Sequence, residues 1–190
     1  MKIGILAVQG DFEAHGKMLE RLGVERAFVR TPDDLSECRG LILPGGESTT
    51  HMKLLAATGL DAAIRKMAAE GGAFFGTCAG AILLARHVKR PEQDSLGVMD
   101  ITIVRNAYGR QLSSDVFLLP TKLRAEPLEM VFIRAPIIES VGRNVSVLAE
   151  RDSKPVLVEQ GQAMAATFHP ELTQDTTIHE HFLKLIQSRN

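Results

Sequence analysis

The stretch "AFFGTCAGAILLA", Ala73 to Ala85, decides how the chain is read. An apolar run, "AFFGT", meets a cysteine set among small residues, and the helical pattern "AGAILLARHV" follows at once. A short continuous apolar run followed by helical periodicity marks a buried parallel strand and its crossover helix. Gly76-Thr77-Cys78-Ala79-Gly80 has the form G-x-C-x-G, the cysteine counterpart of a nucleophile elbow. In such an elbow the reactive residue sits on a tight, strained turn, so its neighbours must be small. The helix behind it turns free N–H groups and the positive end of its dipole toward a thiolate. The backbone N–H of Ala79 is then placed to hold an oxyanion. The same pentapeptide is also compatible with a buried structural cysteine. Cys38, in "LSECRGLIL", has no elbow and no following helix, and reads as structural.

Working outward, the same strand-then-helix alternation recurs. "KIGILAVQG" is a first buried strand. A helix begins near Asp11, carries Phe12, Leu19 and Leu22 on one face, and stops at Gly23. "RAFVR" is a second strand and "TPDDLSEC" a turn with a short helix. "GLILPGG" is a third strand ending in a Pro-Gly-Gly turn. The pattern from Ser48 to Ala69 predicts one helix with Leu54, Leu55, Leu60, Ile64 and Met67 facing the core. After residue 96 the texture becomes β-rich: "GVMDITIVRNAYG", "DVFLLPTKL" and "MVFIRAP" read as strands. "SVLAERDSKPVLVEQGQAMAATFHPE" reads as several antiparallel strands with a hairpin turn at Gly161. "TTIHEHFLKLIQSR" closes as an amphipathic helix with Ile178, Phe182, Leu185 and Ile186 on one face. These elements predict an α/β fold in one domain, residues 1–190, whose β-rich second half returns to a parallel sheet.

Bulk properties narrow the function. With 190 residues the chain can bury a real core. Its formal net charge of −1 carries no basic excess for nucleic acid or an anionic membrane. Two cysteines are too few for a disulfide framework, which points to a reducing cytoplasm. The first apolar run meets glycine and acidic residues too soon for a signal peptide or a membrane span.

A thiol nucleophile needs a base. His169 lies in "ATFHPELT", where Pro170 biases it to extended geometry. Residues two apart in an extended segment point the same way, so the Glu171 carboxylate can reach the His169 imidazole. That pairing fixes the tautomer and stabilises an imidazolium. Cys78, His169 and Glu171 thus form a candidate Cys-His-Glu triad. His179 and His181 do not suit a metal, because positions two apart on a helix diverge. His15, His51 and His87 read as helix-surface residues, although His15 and His51 follow strand ends and could line a site. The turn in "LILPGGEST" can present backbone N–H groups without a blocking side chain. Gly46 is its candidate oxyanion donor, with a phosphate cradle or a plain turn as the other readings. The P-loop lysine spacing is absent, which disfavours nucleotide binding.

Taken together, "PGGEST", "GTCAG", "RNAYGRQ", "FIRAP" and "TFHPEL" occur in the order found in class I (triad) glutamine amidotransferases, and the chain resembles that family over nearly its whole length. "LAVQGDFEAH", "LPGGESTT", "DITIVRNAYGRQ" and "VFIRAP" resemble more narrowly the glutaminases that serve pyridoxal 5′-phosphate (vitamin B6) synthesis; the stretch Leu112 to Met130 matches little. The resemblance implies a flavodoxin-like three-layer sandwich, a mixed sheet with helices on both faces. It implies hydrolysis of L-glutamine to glutamate and ammonia through a glutamyl thioester on Cys78, with Gly46 and Ala79 holding the oxyanion. Contacts to glutamine are implied for Gly46, Glu47, Ser48, Arg105, Ile133 and Arg134; both arginines enter only through the resemblance. It implies no cofactor and no metal. It also implies a partner, a (β/α)₈-barrel synthase subunit in a large hetero-oligomer that takes up the ammonia. A glutaminase feeding a different acceptor synthase would show the same triad.

Overall fold

The computed structural model describes residues 1–105 and 114–188. In chain order the elements are β1 (Lys2–Leu6), α1 (Phe12–Arg21), β2 (Glu25–Val29), α2 (Pro32–Leu35), β3 (Gly40–Leu43), α3 (Ser48–Thr58), α4 (Leu60–Ala69), β4 (Ala73–Thr77) and α5 (Ala79–Leu84). There follow β5 (Ala85–Lys89), β6 (Met99–Val104), β7 (Ser114–Leu119), β8 (Leu128–Ile133), β9 (Ile137–Val141), β10 (Ser146–Arg151), β11 (Lys154–Gln160), β12 (Ala163–Ala166) and α6 (Thr177–Gln187).

A seven-stranded sheet in the order β10-β11-β12-β4-β3-β1-β2 forms the middle layer. From β12 to β2 every neighbouring pair is parallel, and β10-β11-β12 is an antiparallel meander at one edge. The central strands are buried on both faces, which is why they read as continuous apolar runs. Successive residues go to opposite layers. Leu41, Leu43 and Phe74 pack with Leu55, Leu60 and Ile64 of α3 and α4 on one side. Ile42, Ala73 and Phe75 pack with Leu19 of α1 and Ile178 and Phe182 of α6 on the other. The sheet is therefore mixed, with helices on both faces. A three-stranded sheet β5-β6-β9 extends the first layer and a β7-β8 hairpin the second.

Two expectations are corrected. The predicted helix from Ser48 to Ala69 is two helices, broken at Gly59, which adopts φ 73° and caps α3 in the left-handed region. Leu55, Leu60 and Ile64 are fully buried as expected, whereas Leu54 and Met67 are only partly covered. The helix after Cys78 is also shorter than its pattern: α5 ends at Leu84, and "ARHVK" is strand β5. The reason is tertiary. The Leu83 carbonyl, which a continuing helix would offer to residue 87, instead accepts the N–H of Leu96 at 2.8 Å, and β5 pairs with β6. The "NAYG" end of the strand read at "GVMDITIVRNAYG" lies outside the described residues.

One close approach holds α5 against the sheet. A Cβ on Gly80 would overlap the Leu43 carbonyl oxygen and stand 2.6 Å from its carbon, so the α5 backbone rests directly on the end of β3. Gly80→Ala should lower the denaturant midpoint by the equivalent of about 2–3 kcal/mol, since the clash is with backbone and cannot be relieved by a rotamer. Gly97, at φ 69° with open space around it, is the control: Gly97→Ala should cost about 1–2 kcal/mol, the left-handed penalty alone. Equal losses in the two variants would contradict this packing.

Candidate active site

The site lies at the carboxyl ends of the parallel strands, where β4 hands over to α5. Cys78 occupies the turn itself, at φ 49° and ψ −104°. A non-glycine residue at positive φ is uncommon and strained, and here the surroundings fix it. Its N–H donates to the Ala166 carbonyl of β12 at 2.8 Å, and its Sγ lies 3.8 Å from the Ile133 carbonyl at the end of β8. The thiol is buried.

His169 follows β12, and its N–H donates to the Val131 carbonyl at 2.8 Å, which ties it to β8. Its Nδ1 and Glu171 Oε1 are 2.7 Å apart. An ionised carboxylate can only accept, so Nδ1 carries the proton and Nε2 is left for Cys78. The reach from His169 to Glu171 is as expected, but its geometry is not. Pro170–Leu172 is a 3₁₀ turn rather than an extended segment, and the turn bends Glu171 back beneath the imidazole. Burial disfavours the His169 imidazolium, yet hydrogen bonds to Cys78 and Glu171 outweigh it and raise the pKa to about 10. Glu171 is itself buried. Burial pushes its carboxyl up, but neighbouring His15 and the bond from His169 hold it below the usual carboxylate range.

Cys78 opens onto a cleft of about 280 Å³. Gly46, Glu47, Ser48, Ala79, Arg105, Ile133, Arg134 and His169 all line it. Every residue named for the triad, the oxyanion donors or the glutamine contacts therefore meets here except Glu171, which stands behind His169, whereas His15 and His51 do not line the cleft. Gly45 packs so closely on the His169 ring that a Cβ would meet Cε1 at 2.5 Å. Gly46 has φ 146°, and its N-terminal neighbour's carbonyl is turned toward Gly10. The Glu47 N–H donates to Gln9 Oε1 at 3.0 Å, which pins this turn to the loop after β1. The Ser48 hydroxyl is taken up by Gln93 Oε1 at 3.1 Å. Arg134, at φ 45°, pairs with Glu47 at 3.5 Å across the mouth. Both side chains are exposed, so this pair is weak and free to open.

Sequence reasoning missed several neighbours. His15 and His51 are fully buried rather than on helix surfaces, and His87 is an exposed residue of strand β5. His15 Nδ1 lies 3.0 Å from His179 Nε2, and His15 Nε2 lies 3.4 Å from Glu171 Oε2. His179 and His181 do diverge: His181 pairs with Glu159 at 2.6 Å on the other side of α6. The signal for burial was spacing. His15 shares its stripe with Phe12, Leu19 and Leu22, His51 precedes Leu55 by four, and His179 precedes Phe182 and Leu183 by three and four. Cys38 behaves structurally, half-buried, with its thiol pushed up by burial and its Sγ 3.4 Å from the Asp34 carbonyl. Among the described residues no group of three or more His, Cys, Asp or Glu side chains could hold a metal ion. No helix among them is long and apolar enough to cross a membrane.

The arrangement is that of a glutamine amidotransferase: a crystal structure described as that of a glutamine amidotransferase superposes with a TM-score of 0.92 at 46% identity, covering 97% of this chain and 98% of that one. The model of the SNO glutamine amidotransferase family matches residues 5–188. A protein of Koribacter versatilis (strain Ellin345) named "Pyridoxal 5′-phosphate synthase subunit PdxT" is 53% identical over 190 residues, all of this chain and 98% of that protein. A protein of the same name from Thermotoga maritima is 47% identical over 188 residues, 98% of this chain and all of that protein. The chain belongs to the SNO glutamine amidotransferase family.

The buried histidines set the pH range of the fold. Burial holds His15, His51 and His179 below their ordinary pKa, His179 at about 3. Below pH 6.5 the unfolded chain therefore binds more protons, and stability falls as pH drops. His169 has the opposite sign: its stabilisation is complete below pH 6.5 and is lost as pH rises toward 10. Denaturant midpoints at pH 5, 7 and 9 should be highest near 7. A midpoint that rises steadily from pH 5 to 9 would contradict this assignment.

Proposed function

We propose that this chain is the glutaminase subunit of a pyridoxal 5′-phosphate synthase, hydrolysing L-glutamine and passing the ammonia to a synthase subunit. The observation that carries the reading is the buried Cys78 on its strained elbow, with His169 held against it by Glu171, at the floor of a cleft with charges of both signs at its mouth. Glutamine carries an α-carboxylate and an α-ammonium. Arg105 and Arg134 match the first, and Glu47 the second. Full-length identity to the two proteins named as synthase subunits favours this acceptor over another.

In this mechanism the Cys78 sulfur, its proton resting on His169 Nε2, attacks the side-chain amide carbon and a C–S bond forms. The backbone N–H groups of Gly46 and Ala79 receive the negative oxygen. His169 gives its proton to the amide nitrogen, the C–N bond breaks, and ammonia leaves a glutamyl thioester. Neutral His169 then takes a proton from water, the hydroxide attacks the thioester, and glutamate departs as the sulfur is restored. Glu171 keeps its charge throughout and supports the imidazolium each time it forms. Ammonia released to bulk water at neutral pH would be protonated and lost as a nucleophile. A (β/α)₈-barrel partner in a large hetero-oligomer, receiving it through an internal path, would prevent this.

Cys78→Ala should lower ammonia release from glutamine by about 10⁴-fold or more, while circular dichroism and co-purification with the synthase stay unchanged. Retained glutaminase activity in that variant would sink the mechanism. Glutaminase activity of the isolated chain should also be low and rise when the synthase is added, as a coupled assay for glutamate would read. Equal rates with and without the partner would count against the coupling.

A further inference from the structure

Behind the triad lies a second layer of polar groups that the mechanism above leaves idle. His15 of α1 and His179 of α6 are both fully buried, and they meet at 3.0 Å between Nδ1 and Nε2. The other nitrogen of His15, Nε2, faces Thr77 Oγ1 at 3.1 Å and Glu171 Oε2 at 3.4 Å. Glu171 Oε2 is buried with no hydrogen-bond partner among the described residues, His15 Nε2 being the donor that approaches it at 3.4 Å, and His179 Nδ1 is likewise without a partner. One proton must lie between the two imidazoles, so only two tautomer patterns are available. In the first, His15 Nε2–H points at Thr77 and Glu171, His15 Nδ1 accepts from His179 Nε2–H, and His179 Nδ1 is a lone pair. In the second, every proton is reversed. The second turns a lone pair of His15 toward a buried carboxylate oxygen and leaves the His179 Nδ1–H donor buried without an acceptor. Both faults cost more than an idle lone pair.

We propose that His15 is a positioning residue for the triad: its Nε2–H serves the second oxygen of Glu171, and His179 locks that tautomer. The assignment rests on the glutaminase reading above. The Glu171 carboxylate then has a donor on each oxygen, His169 on Oε1 and His15 on Oε2. It is held both ionised and rotated toward His169. The 3.4 Å separation is long for a hydrogen bond, and Thr77 Oγ1 lies nearer the same nitrogen at 3.1 Å, so a small rotation of the imidazole divides its N–H between the two oxygens. The charged or titratable groups facing His15 are Glu171, His179, His169 and, at the start of its own helix, Asp11. Burial keeps His15 and His179 neutral, so His15 supplies a dipole and a proton donor rather than a competing charge. That leaves the single positive charge next to Glu171 on His169, where the chemistry needs it.

The consequence is a signature that a merely structural histidine would not give. Without the His15 donor, Glu171 supports the His169 imidazolium less well, and His169 loses its proton at lower pH. In the complex with the synthase subunit, His15→Leu should lower kcat for glutamine hydrolysis about tenfold with KM within about twofold, and shift the basic limb of the pH–rate profile down by about one unit. His15→Gln, whose amide N–H₂ can occupy the place of Nε2, should recover most of both effects. A basic limb that stays in place, or a glutamine variant no better than the leucine one, would overturn the proposal. Should His15→Leu fail to fold, ¹⁵N-histidine NMR on the wild-type chain decides. His15 and His179 should both appear as neutral Nε2–H tautomers from pH 5.5 to 8.5. Nδ1–H tautomers, or titration of His15 near pH 6.5, would overturn it. Wild-type complex without glutaminase activity would instead defeat the glutaminase reading, and the NMR result would still settle the tautomers.

Discussion

The contact on which the rest of the site depends is backbone against backbone, where Gly80 of α5 meets the carbonyl end of β3. Only a residue without a side chain lets a helix start that close to a sheet. Because α5 sits there, Cys78 is forced onto its positive-φ turn and its sulfur stands clear of both strand and helix. Gly76 completes the arrangement, since a Cβ there would stand 2.5 Å from the Gly80 carbonyl. The strained turn at Cys78 is held by the bond from its own N–H to the Ala166 carbonyl of β12. Fold and cysteine elbow are thus one feature seen at two scales.

Around that sulfur the structure is organised by charge. Glu171 is a carboxylate with almost no access to water, and an isolated buried charge of that kind is untenable. Its environment answers with a donor from His169 and a neutral imidazole from His15. The sheet supplies the geometry: β12 sets His169, α1 brings in His15 across the layer, and α6 closes the group with His179. The mouth of the cleft is different in kind. Arg134 and Glu47 meet there in solvent, where a pair is weak and able to exchange one partner for a ligand.

Much of this was legible in the sequence, for definable reasons. The strands at Lys2, Gly40 and Ala73 announced themselves because both their faces are buried, and Cys78 because its elbow demands small residues at fixed spacing. His169 and Glu171 were found by adjacency, although a 3₁₀ turn makes the contact that an extended segment was expected to make. Features set by distant partners were not legible. α5 stops at Leu84 because the N–H of Leu96 takes the carbonyl of Leu83, thirteen residues back. His15 and His179 are 164 positions apart; each shows only as a polar residue on an apolar stripe, and nothing local says that the two meet. Arg105 and Arg134 carry no local pattern, and only resemblance to a family drew them into the site.

The central claim is that Cys78 is the nucleophile that glutamine acylates. The most direct measurement is covalent labelling of the complex with an electrophilic glutamine analogue, followed by peptide mass mapping. The account predicts one adduct per chain, on Cys78, suppressed by excess L-glutamine, with Cys38 unmodified. Labelling of Cys38 to the same extent, or an active complex that takes up no label at Cys78, would contradict it.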